Sequence, residues 1–323
     1  MSLGILLFTV FLTGCLAFPP AESTPPESST HPPLQSESSA AQTPDPDDPP
    51  VNEQRQALDS AAILEEQENY IVYELTFQRD GLQIYGNLYL PNTDDQQYPT
   101  AIIAHGFGSS YSYMAPYAAY LAEQGIAGYV FDFCGGSTGS RSDGSTLDMS
   151  VLTEVSDMQA VLDGITDYSF VDLEQVYLMG ESQGGLVSAL LAERAGEDVH
   201  GLIMLYPALV IPDDARERYA SASDIPETAR VFGTPVGRTY FSDVLDMDVF
   251  QEIGNFSGPV LIVHGDADSI APISYSQQAV ELYPAAELVT VDGAGHGFYG
   301  SFQLEAESQI AAFLKRSSSN QIG

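Results

Sequence analysis

The chain has 323 residues and carries 10 Lys plus Arg against 45 Asp plus Glu, a formal net charge of -35. Phosphate backbones and anionic bilayers are held by clustered cations, so this balance excludes nucleic-acid binding and leaves solubility, or a salt-rich habitat, as the reading of the acidity. The 44% of apolar residues suffices for one large core, and two cysteines, Cys15 and Cys134, make neither a disulfide framework nor a cysteine-rich zinc site.

In chain order the first element is a targeting segment. Residues 1–14, MSLGILLFTVFLTG, are apolar and end at Cys15 in the order Leu12, Thr13, Gly14, Cys15. This run resembles a bacterial lipobox. The resemblance implies cleavage before Cys15, a diacylglycerol on its thiol, and an exported protein anchored by lipid at the cell surface. The apolar stretch from Leu3 to Phe18 falls short of the roughly 20 residues a membrane-spanning helix needs. No Lys or Arg precedes it, unlike most secretory signals, and a plain cleaved signal is the alternative.

Residues 15–57 read as a tether. Ten of the chain's twenty prolines fall between 18 and 50, among Ser, Thr, Glu and Asp. Such a composition buries too little apolar area to repay its ordering entropy and stays extended. Residues 58–323 form the globular domain. Beyond residue 69, 9 cations face 34 carboxylates, a balance of -25, so the acidity belongs to the fold as well as to the tether.

Within the domain, Ile71 to Phe77 and Gln83 to Leu90 flank Arg79-Asp80-Gly81 and predict a hairpin. Short, uniformly apolar runs follow at Thr100 to Ala104, Gly128 to Phe133, Gln175 to Met179, Leu202 to Leu205, Val260 to Val263 and Leu288 to Val291. They suit parallel strands buried on both faces. Helical spacing marks Tyr117 to Gln124, Leu152 to Tyr168, Leu186 to Ala195, Ser274 to Leu282 and Gln303 to Lys315. The alternation predicts an α/β fold with a mostly parallel central sheet and helices on both faces. Residues 208–257, rich in Asp, Arg, Pro and Gly, read as a small insertion over one end of the sheet.

The chemistry is expected at Gly180-Glu181-Ser182-Gln183-Gly184, a Gly-x-Ser-x-Gly turn between a buried strand and a helix. The glycines permit a sharp turn that leaves the Ser182 hydroxyl exposed. A serine hydroxyl needs a histidine to take its proton, and the histidine needs an acid to fix its tautomer. His296, in the Gly-rich loop after the last strand, is the best base. Asp268, on the loop that follows the strand ending at His264, is the orienting acid, with Asp266 in reserve. The backbone N–H groups of Phe107, in His105-Gly106-Phe107-Gly108, and of Gln183 would bind the oxyanion, and His105 would brace that loop. A metal site at His264, Asp266 and Asp268 is weighed and set aside in favour of loop caps; no metal or cofactor is required. The Cys134-Gly135-Gly136 segment lacks phosphate-loop spacing and reads as a loop beside the site, with Cys134 a small buried residue.

The order Ser182, Asp268, His296 is that of the α/β-hydrolase fold. The domain resembles bacterial cinnamoyl and feruloyl esterases from Gly86-Asn87-Leu88-Tyr89-Leu90-Pro91 through His105-Gly106-Phe107-Gly108, Gly180-Glu181-Ser182-Gln183-Gly184-Gly185, Tyr206-Pro207-Ala208, Val263-His264-Gly265 and Gly295-His296-Gly297-Phe298. That family usually carries His before the nucleophile, where this chain has Glu181. The resemblance implies a serine carboxylic-ester hydrolase acting on hydroxycinnamate esters. It further implies a lid over 208–257 in which Asp214 and Tyr240 hold the phenolic ring; as bare residues they read as a helix cap and a packing aromatic. The expected partner is a small-molecule ester, with aromatic acid esters of plant polymers as the class the resemblance suggests. Rival readings are a short-chain carboxylesterase or thioesterase, an exopeptidase of the same fold, and a binding lipoprotein on a retired hydrolase fold.

Overall fold

The computed structural model describes residues 55–58 and 60–319. The signal segment, Cys15 and nearly all of the tether lie outside the described residues. Arg55 and Gln56 are already tied to the domain: Gln56 pairs with Tyr168, and Arg55 Nη2 donates to the Val171 carbonyl at 2.7 Å. The ordered body thus reaches at least three residues ahead of the boundary drawn at Leu58.

Three antiparallel strands open the fold, β1 (Ala62–Glu66), β2 (Tyr70–Arg79) and β3 (Leu82–Pro91). Asp80 and Gly81, both with positive φ, make the hairpin turn between the last two. The repeating units follow as β4 (Tyr98–Ala104), α1 (Tyr111–Glu123), β5 (Ala127–Phe131), α2 (Val151–Ile165), β6 (Val171–Glu181), α3 (Ser182–Ala195) and β7 (Gly201–Leu205). The insertion then contributes α4 (Ile211–Arg218), the hairpin β8 (Thr228–Val231) and β9 (Thr234–Gly237), α5 (Thr239–Ser242) and α6 (Val249–Glu252). The chain returns through β10 (Val260–Gly265), α7 (Ile273–Val280), β11 (Ala286–Val291) and α8 (Ser301–Ser319).

Nine strands form one sheet in the order β1-β2-β3-β5-β4-β6-β7-β10-β11, parallel from β5 onward. Side chains of successive residues leave opposite faces of a strand, and the core divides accordingly. Ile102, Leu178, Leu202 and Ile262 point to one side, packed with α2 and α3, while Ile103, Met179, Ile203 and Val263 point to the other, toward α1 and α8. Among the described residues no helix is long and apolar enough to cross a membrane.

Two differences from expectation have clear causes. Helix α1 begins at Tyr111, six residues before the predicted start, because Pro116 is carried inside the helix rather than marking its boundary. Strand β1 is exposed along its whole length and reads AILEE, so no alternation of burial marked it. Ile102, fully buried on β4 in the middle of the sheet, gives a direct measure of the core. Ile102→Ala is expected to lower stability by about 2–5 kcal/mol, read as a lower urea midpoint with an unchanged slope.

Candidate active site

Strand β6 runs into α3 with no intervening loop, so one residue absorbs the change of direction. That residue is Ser182, held at φ 49° in the left-handed region that side chains rarely adopt. Glycines clear the space around it. A Cβ on Gly180 would lie 2.1 Å from the Gly184 carbonyl oxygen, and one on Gly184 would lie 2.5 Å from that of His105. Ala208 closes the turn by donating its N–H to the Ser182 carbonyl at 2.8 Å.

The structure brings the three expected side chains together. Ser182 Oγ lies 2.8 Å from His296 Nε2, and His296 Nδ1 lies 2.8 Å from Asp268 Oδ2. An ionised carboxylate only accepts, so Nδ1 carries the proton and the neutral ring offers Nε2 to the serine hydroxyl. Burial opposes ionisation of Asp268. The hydrogen bond from His296 and the N–H groups of Ile270 (2.8 Å) and Ala271 (3.0 Å) outweigh it and hold the carboxyl below its ordinary value.

His264 stands behind the same carboxylate. Its Nε2 donates to the Ala271 carbonyl at 2.9 Å and approaches Asp268 Oδ2 at 3.2 Å, while Nδ1 accepts from Ser276 Oγ at 2.7 Å. Burial lowers its pKa and favours the neutral ring. Asp266 turns away and accepts from Gly293 N–H at 2.7 Å. Each of the three side chains is thus engaged with the loops, and no cluster of three or more His, Cys, Asp or Glu suited to a metal occurs among the described residues.

On the opposite side of Ser182, His105 Nδ1 donates to the Gly106 carbonyl at 2.7 Å, and Nε2 accepts from Phe133 N–H at 3.3 Å. This is the bracing role expected of it. Phe107 follows, and its N–H makes no hydrogen bond among the described residues. Gln183 is the second residue of α3, where a helical N–H has no partner within its own helix. The two donors flank the serine, and both residues line the cavity in front of it. Cys134 is buried, and burial pushes its thiol up to about 12, which suits packing rather than nucleophilic work.

The cavity measures about 790 Å³ and lies between the sheet edge and the insertion. Val210, Ile211, Asp214, Phe232, Tyr240 and Phe241 supply its far wall. Asp214 sits in the first turn of α4, caps no helix, and makes no side-chain hydrogen bond among the described residues. Its carboxylate is open to the cavity. Tyr240 is buried, with its ring edge-on to Phe107 at 5.4 Å and its hydroxyl donating to Gln183 Oε1 at 2.8 Å. Its remaining capacity toward a ligand is as an acceptor. Phe232, at φ 47° on the tip of the β8–β9 hairpin, is 80% exposed, with its ring 6.3 Å from that of Phe107.

Sequence reasoning missed what holds Gln183. Its Nε2 donates to Glu154 Oε2 at 2.7 Å, which completes a buried chain from Tyr240 through Gln183 to α2. The signal was a carboxylate on the apolar stripe Val151, Glu154, Val155, Met158 of that helix. Burial raises the Glu154 carboxyl well above its ordinary value, offset only in part by Gln183. A raised folded-state value means that stability is lost as pH climbs from the unfolded value through the folded one. Glu154→Gln is therefore expected to melt like the wild type near about pH 4 and at a higher temperature above about pH 8, read by thermal unfolding at both.

Comparison with known proteins agrees with this fold. The serine aminopeptidase S33 family model matches residues 96–243, and the TAP-like protein model matches residues 246–323. An uncharacterized protein of Mycobacterium tuberculosis is 25% identical over 223 residues, covering 68% of this chain and 69% of that one. The acylamino-acid-releasing enzyme of Mus musculus is 26% identical over 238 residues, which cover 68% of this chain but 30% of that enzyme. Among solved structures, Est1E from Butyrivibrio proteoclasticus with ferulic acid bound aligns with a TM-score of 0.70 at 27% identity, over 76% of this chain and 99% of that one. Strand order, the serine turn and these matches converge: the chain has the α/β-hydrolase fold and is a hydrolase of that superfamily resembling the feruloyl esterases.

Proposed function

We propose that the protein is a serine carboxylic-ester hydrolase that cleaves hydroxycinnamate esters through an acyl-enzyme. The observation that carries the reading is the relay of two 2.8 Å contacts from Ser182 through His296 to Asp268, opening on a cavity with aromatic walls. Ser182 Oγ attacks the ester carbonyl carbon as His296 Nε2 takes its proton. Asp268 stabilises the imidazolium, and the N–H groups of Phe107 and Gln183 receive the developing oxyanion. The tetrahedral intermediate collapses with release of the alcohol, which takes the proton back from His296. Water then repeats the sequence on the acyl-enzyme and frees the acid.

The acid side of the substrate is assigned from the wall. Phe107, Phe232 and Tyr240 offer ring edges and faces to a planar acyl group, and Asp214 offers an acceptor to a phenolic hydroxyl. The likeness to a structure holding ferulic acid supports the same choice. The full chain with methyl ferulate beside p-nitrophenyl butyrate tests it. Faster turnover of the ferulate, abolished in a folded Ser182→Ala variant, is the expected result. Butyrate cleavage alone would keep the mechanism and discard the aromatic acid. Unchanged turnover in Ser182→Ala would discard serine catalysis.

A second reading has its own support in the aminopeptidase family model and in the acylamino-acid-releasing enzyme. Release of p-nitroaniline from aminoacyl anilides, faster than ester cleavage in the same preparation, would favour it.

The same proposal places the enzyme outside the cell, carried by a lipid on Cys15. An alkyne fatty acid fed to bacteria expressing the full chain is expected to label the wild type and not Cys15→Ser; labelling of both would sink the anchor.

A further inference from the structure

One carboxylate at the site has no role in the relay just described. Glu181, the last residue of β6, is 4% exposed. Its Oε1 accepts the N–H of Gly106 at 3.0 Å, and its Oε2 accepts the hydroxyl of Tyr206. Gly106 directly precedes Phe107 and sits tight on the serine turn, since a Cβ there would lie 3.0 Å from Ser182 Cβ and 3.4 Å from Glu181 Oε1. Tyr206 is itself strained at φ 35°, and its ring packs edge-on against the His296 imidazole at 5.1 Å. One side chain therefore touches the mounts of three separate parts: the oxyanion loop, the serine turn and the imidazole.

Resting on the serine-esterase reading above, we propose that the Glu181 carboxylate is a positioning residue, ionised in the competent state, that holds the Phe107 N–H and the His296 ring in register with Ser182. Ionised, it accepts at both oxygens. Protonated, it carries a hydrogen on one oxygen, so either the Tyr206 hydroxyl must turn to accept it or the Gly106 bond is lost. The loop or the imidazole then drifts from its place beside the serine.

The surroundings set where this change falls. Tyr206 follows β7, Tyr113 and Tyr117 lie on α1, and His105 and His296 come from the loops after β4 and β11. Burial lowers the His105 pKa and favours its neutral form. Burial raises Tyr206, Tyr113 and Tyr117, and the Glu181 charge raises each further, so all three are neutral at working pH. Among the described residues no Arg or Lys forms an ion pair with Glu181. Burial thus pushes the Glu181 carboxyl up to about 7, with the Tyr206 and Gly106 donors restoring only part of the difference. Below that pH the neutral form grows, and above it the carboxylate predominates.

The test is the pH dependence, from about pH 5 to about pH 9, of kcat and KM for p-nitrophenyl butyrate and of the rate at which a fluorophosphonate labels Ser182. Glu181→Gln fixes the neutral shape at every pH. Its kcat and labelling rate are expected to fall about 10- to 100-fold below the wild type at the alkaline end, with KM within about twofold. The gap is expected to close toward acid, where the wild type adopts the same neutral form. Tyr206→Phe removes one donor to the carboxylate and is expected to move the acid limb to higher pH; it decides the matter alone if Glu181→Gln does not fold. A loss in Glu181→Gln that is the same at all pH values, no loss, or an unmoved limb in Tyr206→Phe overturns the inference while leaving the esterase reading in place. A wild type that the fluorophosphonate does not label overturns both.

Discussion

A strand that becomes a helix within one residue has few ways to turn, and the site is arranged around the way this chain does it. The left-handed backbone at Ser182 lifts its hydroxyl off the sheet edge at the mouth of α3. The turn demands bare backbone at Gly180 and Gly184, which lets the carbonyl of His105 approach from β4. Because the loop after β4 packs this closely, Phe107 and Gln183 both line the cavity beside Ser182. Residues more than seventy positions apart in the chain are thereby fixed relative to the serine by a single backbone conformation.

Around that turn the protein satisfies its buried carboxylates in different ways. Asp268 receives two histidines and two backbone N–H groups, and stays ionised. Asp157 meets Arg79 Nε at 2.5 Å and the N–H of Cys134 at 2.9 Å, tying the loop after β5 to α2. Glu154 and Glu181 have only uncharged donors, and burial accordingly governs their titration. Of these four, among the described residues, only Asp157 has an Arg or Lys partner. Hydroxyls, amides and imidazoles serve the others, and among them burial pushes Glu181 up to about 7.

The insertion adds the remaining wall. It is built from short helices and a two-stranded hairpin rather than irregular loop, and its Tyr240 reaches through Gln183 to α2. The contact couples the cavity wall to the serine turn, since Gln183 directly follows Ser182 and accepts the Tyr240 hydroxyl through its side chain. Shape at the ring wall and geometry at the serine are thus not independent.

Much of this was legible in the residues. Uniform apolar runs gave away the parallel strands, because burial on both faces leaves no alternation, and three-and-four spacing marked the helices that cover them. The relay was legible too: its members follow the ends of buried strands in chain order, and a Gly-x-Ser-x-Gly turn after a buried strand has few other uses. Pro116 hid the first turn of α1, and the exposed β1 had no pattern to read. The partners of Glu181 and Glu154 were out of reach. Glu181 stands 75 residues from Gly106 and 25 from Tyr206, and only strand order and side-chain rotamers determine which donors meet a buried carboxylate. Sequence by itself determined the α/β layering and which side chains could form the relay, since those follow from local periodicity and residue chemistry. Tertiary packing alone decided their distances, the two roles of Gln183 and the neighbours of each buried acid, because desolvation and hydrogen bonding depend on what the fold places alongside.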